Sequence, residues 1–243
     1  MARHHHERIR IRMEAYRDTI REEILIAFAA EHIQEQLRGD SSGHDWWHVW
    51  RVWQTATRIA QIERADPYVT QLAAILHDIA DWKFHDGDET AGPRAAAEWL
   101  DKHGAPPDLR DRVCEVIAAV TFKGAGVDTP APSLEAAVVQ DADRLDAIGA
   151  IGVARAFAYG GSRGRLMYDP ETPATPHASF ADYKRNAGPT LNHFHEKLLL
   201  LKDRMQTATG RKWAERRPAY LENFLQQFLA EWNGVDGAEE SKP

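Results

Sequence analysis

Two histidines and two aspartates draw attention, because each lies on or beside a stretch that is otherwise apolar on one side. His77 and Asp78 are adjacent at the end of an apolar run, while His48 and Asp143 lie in distinctive segments before and after it. A buried carboxylate must be paired, coordinated or protonated. An isolated His-Asp pair is most often a structural ion pair, so a functional site is predicted only because the four residues occur together.

The chemistry that these residue types favour is metal-dependent hydrolysis. Two imidazoles and two carboxylates form a mixed nitrogen and oxygen set, which suits a divalent ion such as Mn, Mg, Fe, Co, Ni or Zn. Four protein ligands on an octahedral ion leave positions for water and for substrate oxygens. Such an ion lowers the pKa of water and polarises a phosphoryl oxygen, which gives hydrolysis of phosphoesters or phosphoanhydrides a physical basis.

The elements that would position these residues are helices. Apolar residues recur near a period of 3.6, and the sequence has no convincing strand of period 2, no long repeat and no composition break between domains. These patterns predict an all-α protein with a single domain over residues 1–243. Predicted helices cover 13–37, 45–63, 68–82, 93–102, 109–120, 133–159, 190–205 and 217–232, with an irregular segment at 160–188 and a polar tail at 234–243.

The composition excludes several classes of protein. Apolar residues make up 43% of the chain, enough for a sizeable core, and the net charge of -7 argues against a surface that coats a nucleic-acid polymer. No apolar run is long enough to span a membrane, and the first residues lack a signal-peptide pattern. The lone cysteine, Cys114, is expected to be a small core residue in a reducing compartment, so the sequence predicts a cytoplasmic protein without a membrane partner.

The ordered motifs resemble those of the HD-domain metal-dependent phosphohydrolases, named for their His-Asp doublet. The resemblance covers about residues 20–160 and is carried by Gly43-His44-Asp45 with His48 and Arg51-Val52, Leu76-His77-Asp78-Ile79 with Asp81, and Asp141-Ala142-Asp143-Arg144-Leu145-Asp146. It implies a helical HD-type bundle around this metal-binding core, with additional C-terminal helices over about 190–232. It also implies that the metal ligands are His48, His77, Asp78 and Asp143.

The rest of the chain is similar to one subgroup, the small stand-alone bacterial members, through Tyr159-Gly160-Gly161 and His193-Phe194-His195-Glu196-Lys197-Leu198. The implied reaction is cleavage of nucleoside or deoxynucleoside triphosphates to the monophosphate and pyrophosphate. The implied partner is a small phosphorylated molecule, a nucleotide, and the sequence is compatible with a homodimer. Alternatives are a nucleotide monoesterase, a cyclic-nucleotide or alarmone phosphodiesterase, a nucleotide-binding domain without turnover, and a purely structural helical protein.

The resemblance also bears on the number of metal ions. Two-metal HD enzymes supply extra histidines between the doublet and the last aspartate. In this interval the chain has His85 and His103. His103 reads as the solvated end of a helix, since it precedes a Gly-Pro turn. His85 lies closer to the doublet and is the alternative, as a ligand of a second ion. The sequence favours one divalent ion, with Mn or Mg as the first choices.

Two residues that follow the doublet are predicted to be catalytic. On a continuing helix, Asp81 would lie on the same side as His77 and Asp78 and would act as a general base toward water. Lys83, in the polar loop that follows, would meet the phosphate. For each of them, the competing interpretation is an exposed residue in contact with solvent.

Five residues are predicted to contact the substrate: His44, Arg51, Lys123, His193 and Lys197. Arg51 would reach either a phosphate or a carboxylate with two nitrogens. His44 would contact the substrate or support the metal site, unless the local sequence serves only to let Asp45 cap the helix. His193 and Lys197 have the i,i+4 spacing that presents both on one helix face. For Lys123, which lies in a polar loop, the alternative to a substrate contact is an exposed surface residue.

Other aromatic and basic residues have two interpretations each. Arg144 is predicted to form a structural salt bridge, because it points away from Asp143 on a helix. Arg163 and Arg165 lie in a Gly-rich segment and would form either a lid over an anionic substrate or an exposed loop. Four tryptophans at helical spacing are predicted to be mostly core residues, with stacking on a base as the alternative: Trp46, Trp47, Trp50 and Trp53.

Overall fold

The regular structure of the chain is helical. The structure is a computed structural model that describes residues 20–80, 87–175, 177–185 and 188–235. Within these ranges there is no strand, which confirms the predicted all-α class. The elements are α1 (20–36), α2 (Trp46–Glu63), α3 (Pro67–Leu76), α4 (Ala91–Lys102), α5 (Pro107–Val120), α6 (Leu134–Asp146), α7 (Gly149–Ser162), α8 (Phe180–Arg185), α9 (Asn192–Glu196), a 3-10 helix (Leu198–Arg204), α10 (Ala208–Ala214) and α11 (Arg217–Trp232).

The helices that surround the site begin where the sequence supplies a capping side chain. Asp45 accepts a hydrogen bond from a backbone N–H in the first turn of α2, and Asp66 does the same for α3, whose first residue is Pro67. Ser133 caps α6 in the same way. A capping side chain satisfies one of the backbone donors that a helix start leaves unpaired, and proline at the first position loses no intrahelical bond.

The hydrophobic core is centred on α2, which packs between α3 and α6. α5 packs against α3 and α6, α4 covers α5, and α11 packs on α7. Val52, Leu72 and Leu145 are fully buried in this core, and burying such a side chain stabilises the fold by about 1.5–3 kcal/mol. Leu76 is also fully buried, so the doublet that follows it begins where the core ends. None of the helices in the described part of the chain is long and apolar enough to cross a membrane.

The first departure from the predicted helices occurs at the doublet itself. α3 ends at Leu76, whereas the periodicity predicts a helix to about residue 82, so that prediction is wrong over residues 77–80. The His77 ring uses Nδ1 to bond the Ala74 carbonyl oxygen at 2.8 Å, which is the acceptor that the next helical turn would use. The chain instead makes a tight turn, in which Ile79 N donates to Leu76 O at 3.0 Å. Asp78 therefore lies in a turn rather than on a helix.

Two further predicted helices are each divided. The predicted helix over 133–159 is α6 followed by α7, and the break contains Gly149 with φ +78°, a left-handed conformation that glycine adopts without strain. The predicted helix over 190–205 is α9 followed by the 3-10 helix, with the change at Lys197. The break before α7 turns that helix back toward the site, where Arg155 Nε donates to Gly43 O at 2.8 Å.

The four tryptophans of α2 do not share one environment. Trp46 and Trp53 are partly buried against the core, but Trp47 is 58% exposed and Trp50 is 41% exposed. The core prediction is therefore wrong for Trp47 and Trp50, because they fall on the side of α2 opposite its buried residues.

Residues 204–207, at the end of the 3-10 helix and just after it, are held against α6 by buried polar contacts. Asp141 accepts hydrogen bonds from Gln206 N, Thr207 N and Thr207 Oγ1, each at 2.7 Å. Arg144 is buried as well, but it donates to Thr129 Oγ1 and to the Arg204 carbonyl oxygen rather than to the carboxylate that the sequence suggests. These contacts hold α6, and with it Asp143, from the side that faces away from the site.

We expect Asp141→Ala to lower the free energy of unfolding by about 3 kcal/mol, because three donors near the core would lose their acceptor. Urea unfolding followed by circular dichroism measures this change. The matched control is Asp203→Ala, which removes an exposed carboxylate from the neighbouring 3-10 helix and should change stability by less than about 0.5 kcal/mol. Equal effects of the two substitutions would contradict the structural role of Asp141.

Candidate metal centre

Four side chains from three parts of the chain converge on one point. α2 supplies His48, the turn after α3 supplies His77 and Asp78, and α6 supplies Asp143. His48 Nε2 lies 3.2 Å from His77 Nε2, 3.4 Å from Asp78 Oδ2 and 3.5 Å from Asp143 Oδ1. The fourth separation, from His77 Nε2 to Asp78 Oδ1, is 3.6 Å. The residues that the sequence predicts as metal ligands are thus neighbours in space.

In each imidazole, the hydrogen bond made by Nδ1 determines whether Nε2 carries a proton or a lone pair. His48 Nδ1 lies 2.8 Å from Asp146 Oδ2, and His77 Nδ1 lies 2.8 Å from Ala74 O. A carboxylate and a carbonyl oxygen only accept hydrogen bonds, so in the neutral form of either ring, which is the form that binds a metal ion, Nδ1 carries the proton. The two Nε2 atoms then face each other with lone pairs, beside two carboxylates. A proton or a metal cation removes the repulsion between these atoms. Burial alone lowers the pKa of His48, but the hydrogen bonds with Asp146 and Asp78 outweigh it and raise that pKa.

The separations fit a divalent ion. Neighbouring ligands at right angles on an octahedral ion with bonds of about 2.1 Å lie about 3.0 Å apart, slightly closer than the distances found here. Burial alone raises the pKa of Asp78, but His77, His44 and His48 outweigh it and hold that pKa well below its usual range. Asp78 is therefore ionised, as a metal ligand must be. Two overlapping groups of side chains could each hold a metal ion, namely His48 with His77 and Asp143, and His48 with His44 and Asp78.

Asp146 orients His48 from outside the cluster. Besides its contact with the imidazole, it receives Arg51 Nε and Nη2 at 2.7 and 3.0 Å, and Arg155 Nη1 lies 3.2 Å away. Burial alone raises the pKa of Asp146, but the hydrogen bonds from His48 and Arg51 outweigh it and hold the pKa well below its usual range. An ionised Asp146 fixes the His48 ring with Nε2 toward the centre of the cluster.

A pocket of about 770 Å³ opens over the cluster and is lined by His77, Asp78 and Asp143. Its wall also carries the acidic side chains of Glu89 and Asp169 and a larger number of basic ones, which are Arg155, Arg163, Arg165, His193 and Lys197. A cleft of this size with convergent polar groups is typical of a small-molecule site, and basic groups in its wall favour an anionic ligand.

Three of the five predicted substrate contacts line this pocket: His44, His193 and Lys197. His44 Nδ1 also lies 3.1 Å from Asp78 Oδ2, so it supports the cluster. Arg51 takes the carboxylate alternative, since its guanidinium binds Asp146 and does not line the pocket. Lys123 does not line it either, and its ammonium lies 2.7 Å from Oε2 of Glu89, which does.

The remaining predicted residues fall in different places. Asp81, Lys83 and His85 lie outside the described residues, directly after the turn that holds the doublet, so their roles stay predictions. His103 is the exposed C-cap of α4, as the sequence suggests. None of the four tryptophans of α2 lines the pocket described above.

Sequence reasoning did not assign a role to Asp146, Arg155 or Tyr159. Asp146 belongs to the acidic motif and Tyr159 to the glycine-rich one, so both were visible as motif members without a stated function. Arg155 carried no signal, because its approach to Gly43 and Asp146 depends on the break before α7.

We expect Asp146→Asn to weaken Mn²⁺ binding by about 10–100-fold, because an amide cannot replace the carboxylate that accepts from His48 and Arg51 together. Calorimetric titration of the purified protein with MnCl₂ measures the affinity, and thermal unfolding checks that the variant is folded. Asp203→Asn is the control and should bind as the wild type does. A folded Asp146→Asn protein with unchanged Mn²⁺ affinity would contradict the assignment.

Comparison with known proteins places this site in a family. A family model described as the HD domain matches residues 46–148, which contain all four converging residues. A solved structure from Lactobacillus plantarum has a TM-score of 0.79 at 35% identity and covers 87% of this chain and 98% of its own. An HD-superfamily hydrolase from Bacillus thuringiensis has a TM-score of 0.64 at 40% identity and covers 87% of this chain and 98% of its own.

A further relative is the uncharacterized protein YpgQ of Bacillus subtilis, which is 37% identical over 208 residues, covering 84% of this chain and 92% of YpgQ. The crystal structure of YpgQ in complex with ADP has a TM-score of 0.64 at 33% identity and covers 85% of this chain and 100% of its own. The family model, the shared identity and the shared fold agree with the clustered doublet, and we conclude that this chain belongs to the HD-domain superfamily.

Proposed function

We propose that this protein is a metal-dependent hydrolase that cleaves nucleoside or deoxynucleoside triphosphates to the monophosphate and pyrophosphate. The observation that carries the proposal is the convergence of His48, His77, Asp78 and Asp143 at a pocket whose wall holds several basic side chains. The cluster favours a divalent cation, and the basic wall favours a substrate with more negative charge than one phosphate supplies.

Two relatives support a nucleotide as the substrate and hydrolysis as the reaction. YpgQ forms a complex with ADP, and the Bacillus thuringiensis protein is described as a hydrolase. The lone thiol of Cys114, whose pKa is raised by burial, agrees with a reducing compartment such as the cytoplasm, where nucleotides are abundant substrates.

In the proposed mechanism, the four converging residues would hold a divalent ion, with Mn or Mg as the first candidates, which would supply Lewis-acid polarisation of a phosphoryl oxygen and a lower pKa of water. His48 and His77 would hold this ion with fixed rings, because the Nδ1 atoms are hydrogen-bonded to Asp146 and to the Ala74 carbonyl oxygen. His44 holds the Asp78 carboxylate at 3.1 Å. Asp81 is proposed to accept the proton of the attacking water, and Lys83 to meet the phosphate.

The substrate would be oriented by the pocket wall. Lys197 and His193 lie at adjoining positions of this wall, where Lys197 N donates to His193 O at 3.0 Å at the end of α9. The Lys197 ammonium lies 5.2 Å from the centre of the Phe122 ring, which positions it through a cation–π contact. Water attack on the phosphorus next to the sugar would release pyrophosphate as the leaving group.

We expect Asp78→Ala to bind little Mn²⁺ and to lose at least about 1,000-fold in turnover, because one of four ligands to the proposed ion is removed. Calorimetry with MnCl₂ and chromatography of nucleotide products measure the two effects. Asp203→Ala serves as the control and should keep both properties. Full activity of Asp78→Ala with purified nucleotides would show that the site assignment is wrong.

A substrate panel run with Mn, Mg, Co and Ni tests the reaction itself. Release of pyrophosphate from triphosphates supports the proposal. Release of inorganic phosphate from monophosphates would instead identify a monoesterase, and opening of cyclic nucleotides a phosphodiesterase. Nucleotide binding without any product would identify a binding domain without turnover.

A further inference from the structure

The end of α7 carries a compact group of one aromatic and two basic side chains. The guanidinium of Arg163 lies 5.4 Å from the centre of the Tyr159 ring, and that of Arg165 lies 5.6 Å from it. All three residues line the pocket that also contains Asp78. We call Tyr159, Arg163 and Arg165 the arginine pair and its ring.

The group lies one side chain away from the candidate metal centre. His44 bridges the two, because its Nδ1 is 3.1 Å from Asp78 Oδ2 while its ring centre is 5.8 Å from that of Tyr159. A ligand phosphate at Asp78 and Asp143 would therefore have its neighbouring groups within reach of the arginine pair, on the His44 side of the pocket.

The turn that carries the arginine pair is fixed to the rest of the protein. Arg165 N donates to Gly160 O at 2.9 Å, and Gly164 allows the turn with φ +66°. Any side chain at position 160 would collide with Thr190 Oγ1, so glycine permits the close approach of α7 to Thr190. Thr190 also contacts the segment after the turn, where its backbone N donates to Leu166 O at 2.9 Å. The two arginines thus belong to a constrained turn rather than to a long free loop.

The chemistry of this group favours phosphate over a base. A guanidinium carries its N–H donors in one plane, and this planar fork matches phosphate oxygens. The ring of Tyr159 is already contacted by two guanidinium groups and by the edge of His44. A base that stacked on Tyr159 would have to displace these contacts.

We propose that the arginine pair and its ring form a subsite for the terminal phosphates of the substrate, by which the pocket distinguishes nucleotides by the number of their phosphates. The inference rests on the proposed function, because that function puts the phosphate next to the sugar at the metal centre. Tyr159 positions the two guanidinium groups, and Arg163 and Arg165 bind the phosphate oxygens.

The test compares binding of a monophosphate with binding of a triphosphate that cannot be cleaved. Wild type and Arg163→Ala/Arg165→Ala are titrated, with Mn²⁺ present, with AMP and with α,β-methylene-ATP, and Kd is measured by calorimetry. We expect the variant to bind the triphosphate analogue about 100-fold more weakly, since two charge-assisted contacts are lost, and to bind AMP within about threefold of wild type. Arg163→Lys/Arg165→Lys keeps the charge without the fork and should give an intermediate loss.

The matched control is Arg38→Ala/Arg216→Ala, which removes the same charge from two exposed arginines that do not line this pocket. It should bind both ligands as wild type does, and thermal unfolding establishes that each variant is folded. Should the alanine pair misfold, Arg163→Gln/Arg165→Gln gives the same comparison with side chains of similar length.

Two results would overturn the subsite: unchanged binding of the analogue by the double variant, or equal weakening of AMP and the analogue. Failure of the proposed function gives a different pattern. In that case the wild type releases no pyrophosphate from ATP, yet it still prefers the analogue over AMP through the two arginines, because the binding measurement does not depend on turnover.

Discussion

The site depends on carboxylate charge and imidazole nitrogens gathered at one point, an arrangement that a cation stabilises. Two imidazole nitrogens and two carboxylates face one point, with His48 Nε2 between 3.2 and 3.5 Å from the other three groups. The fold holds them there through bonds made on their far sides, to Asp146 and to the Ala74 carbonyl oxygen. The favourable core packing of α2, α3 and α6 stabilises the fold that brings them together, and a proton or a metal cation removes the repulsion between these atoms.

The sequence predicts well those features that residue type alone determines. Asp45, Asp66 and Ser133 mark three helix starts because their side chains satisfy backbone donors, wherever the rest of the chain lies. The convergence of the doublet with His48 and Asp143 is likewise predictable, because ligand-type residues that interrupt apolar faces need a shared partner. The class of the fold follows from periodicity.

The features that the sequence does not predict are changes of direction and choices of partner. The ring of His77 ends α3 by taking a backbone acceptor, and apolar periodicity carries no information about such a bond. Gly149 divides a stretch whose composition is otherwise helical. Arg51 would suit any anion, and its pairing with Asp146, 95 positions away, is decided only by tertiary structure. For the same reason, no sequence pattern identifies Arg155 as a site residue, because its contacts depend on the position of α7 in the folded protein.

Asp146 also constrains how the protein can evolve. One carboxylate contacts His48, Arg51 and Arg155, so it joins a ligand imidazole to two cations from different helices. Losing it would leave two buried or half-buried positive charges opposed to each other, while losing either arginine would leave the carboxylate short of a counterion. A substitution at any one of positions 48, 51, 146 and 155 therefore changes the charge balance at the other three, and we expect it to be tolerated only with a compensating change at a second of them.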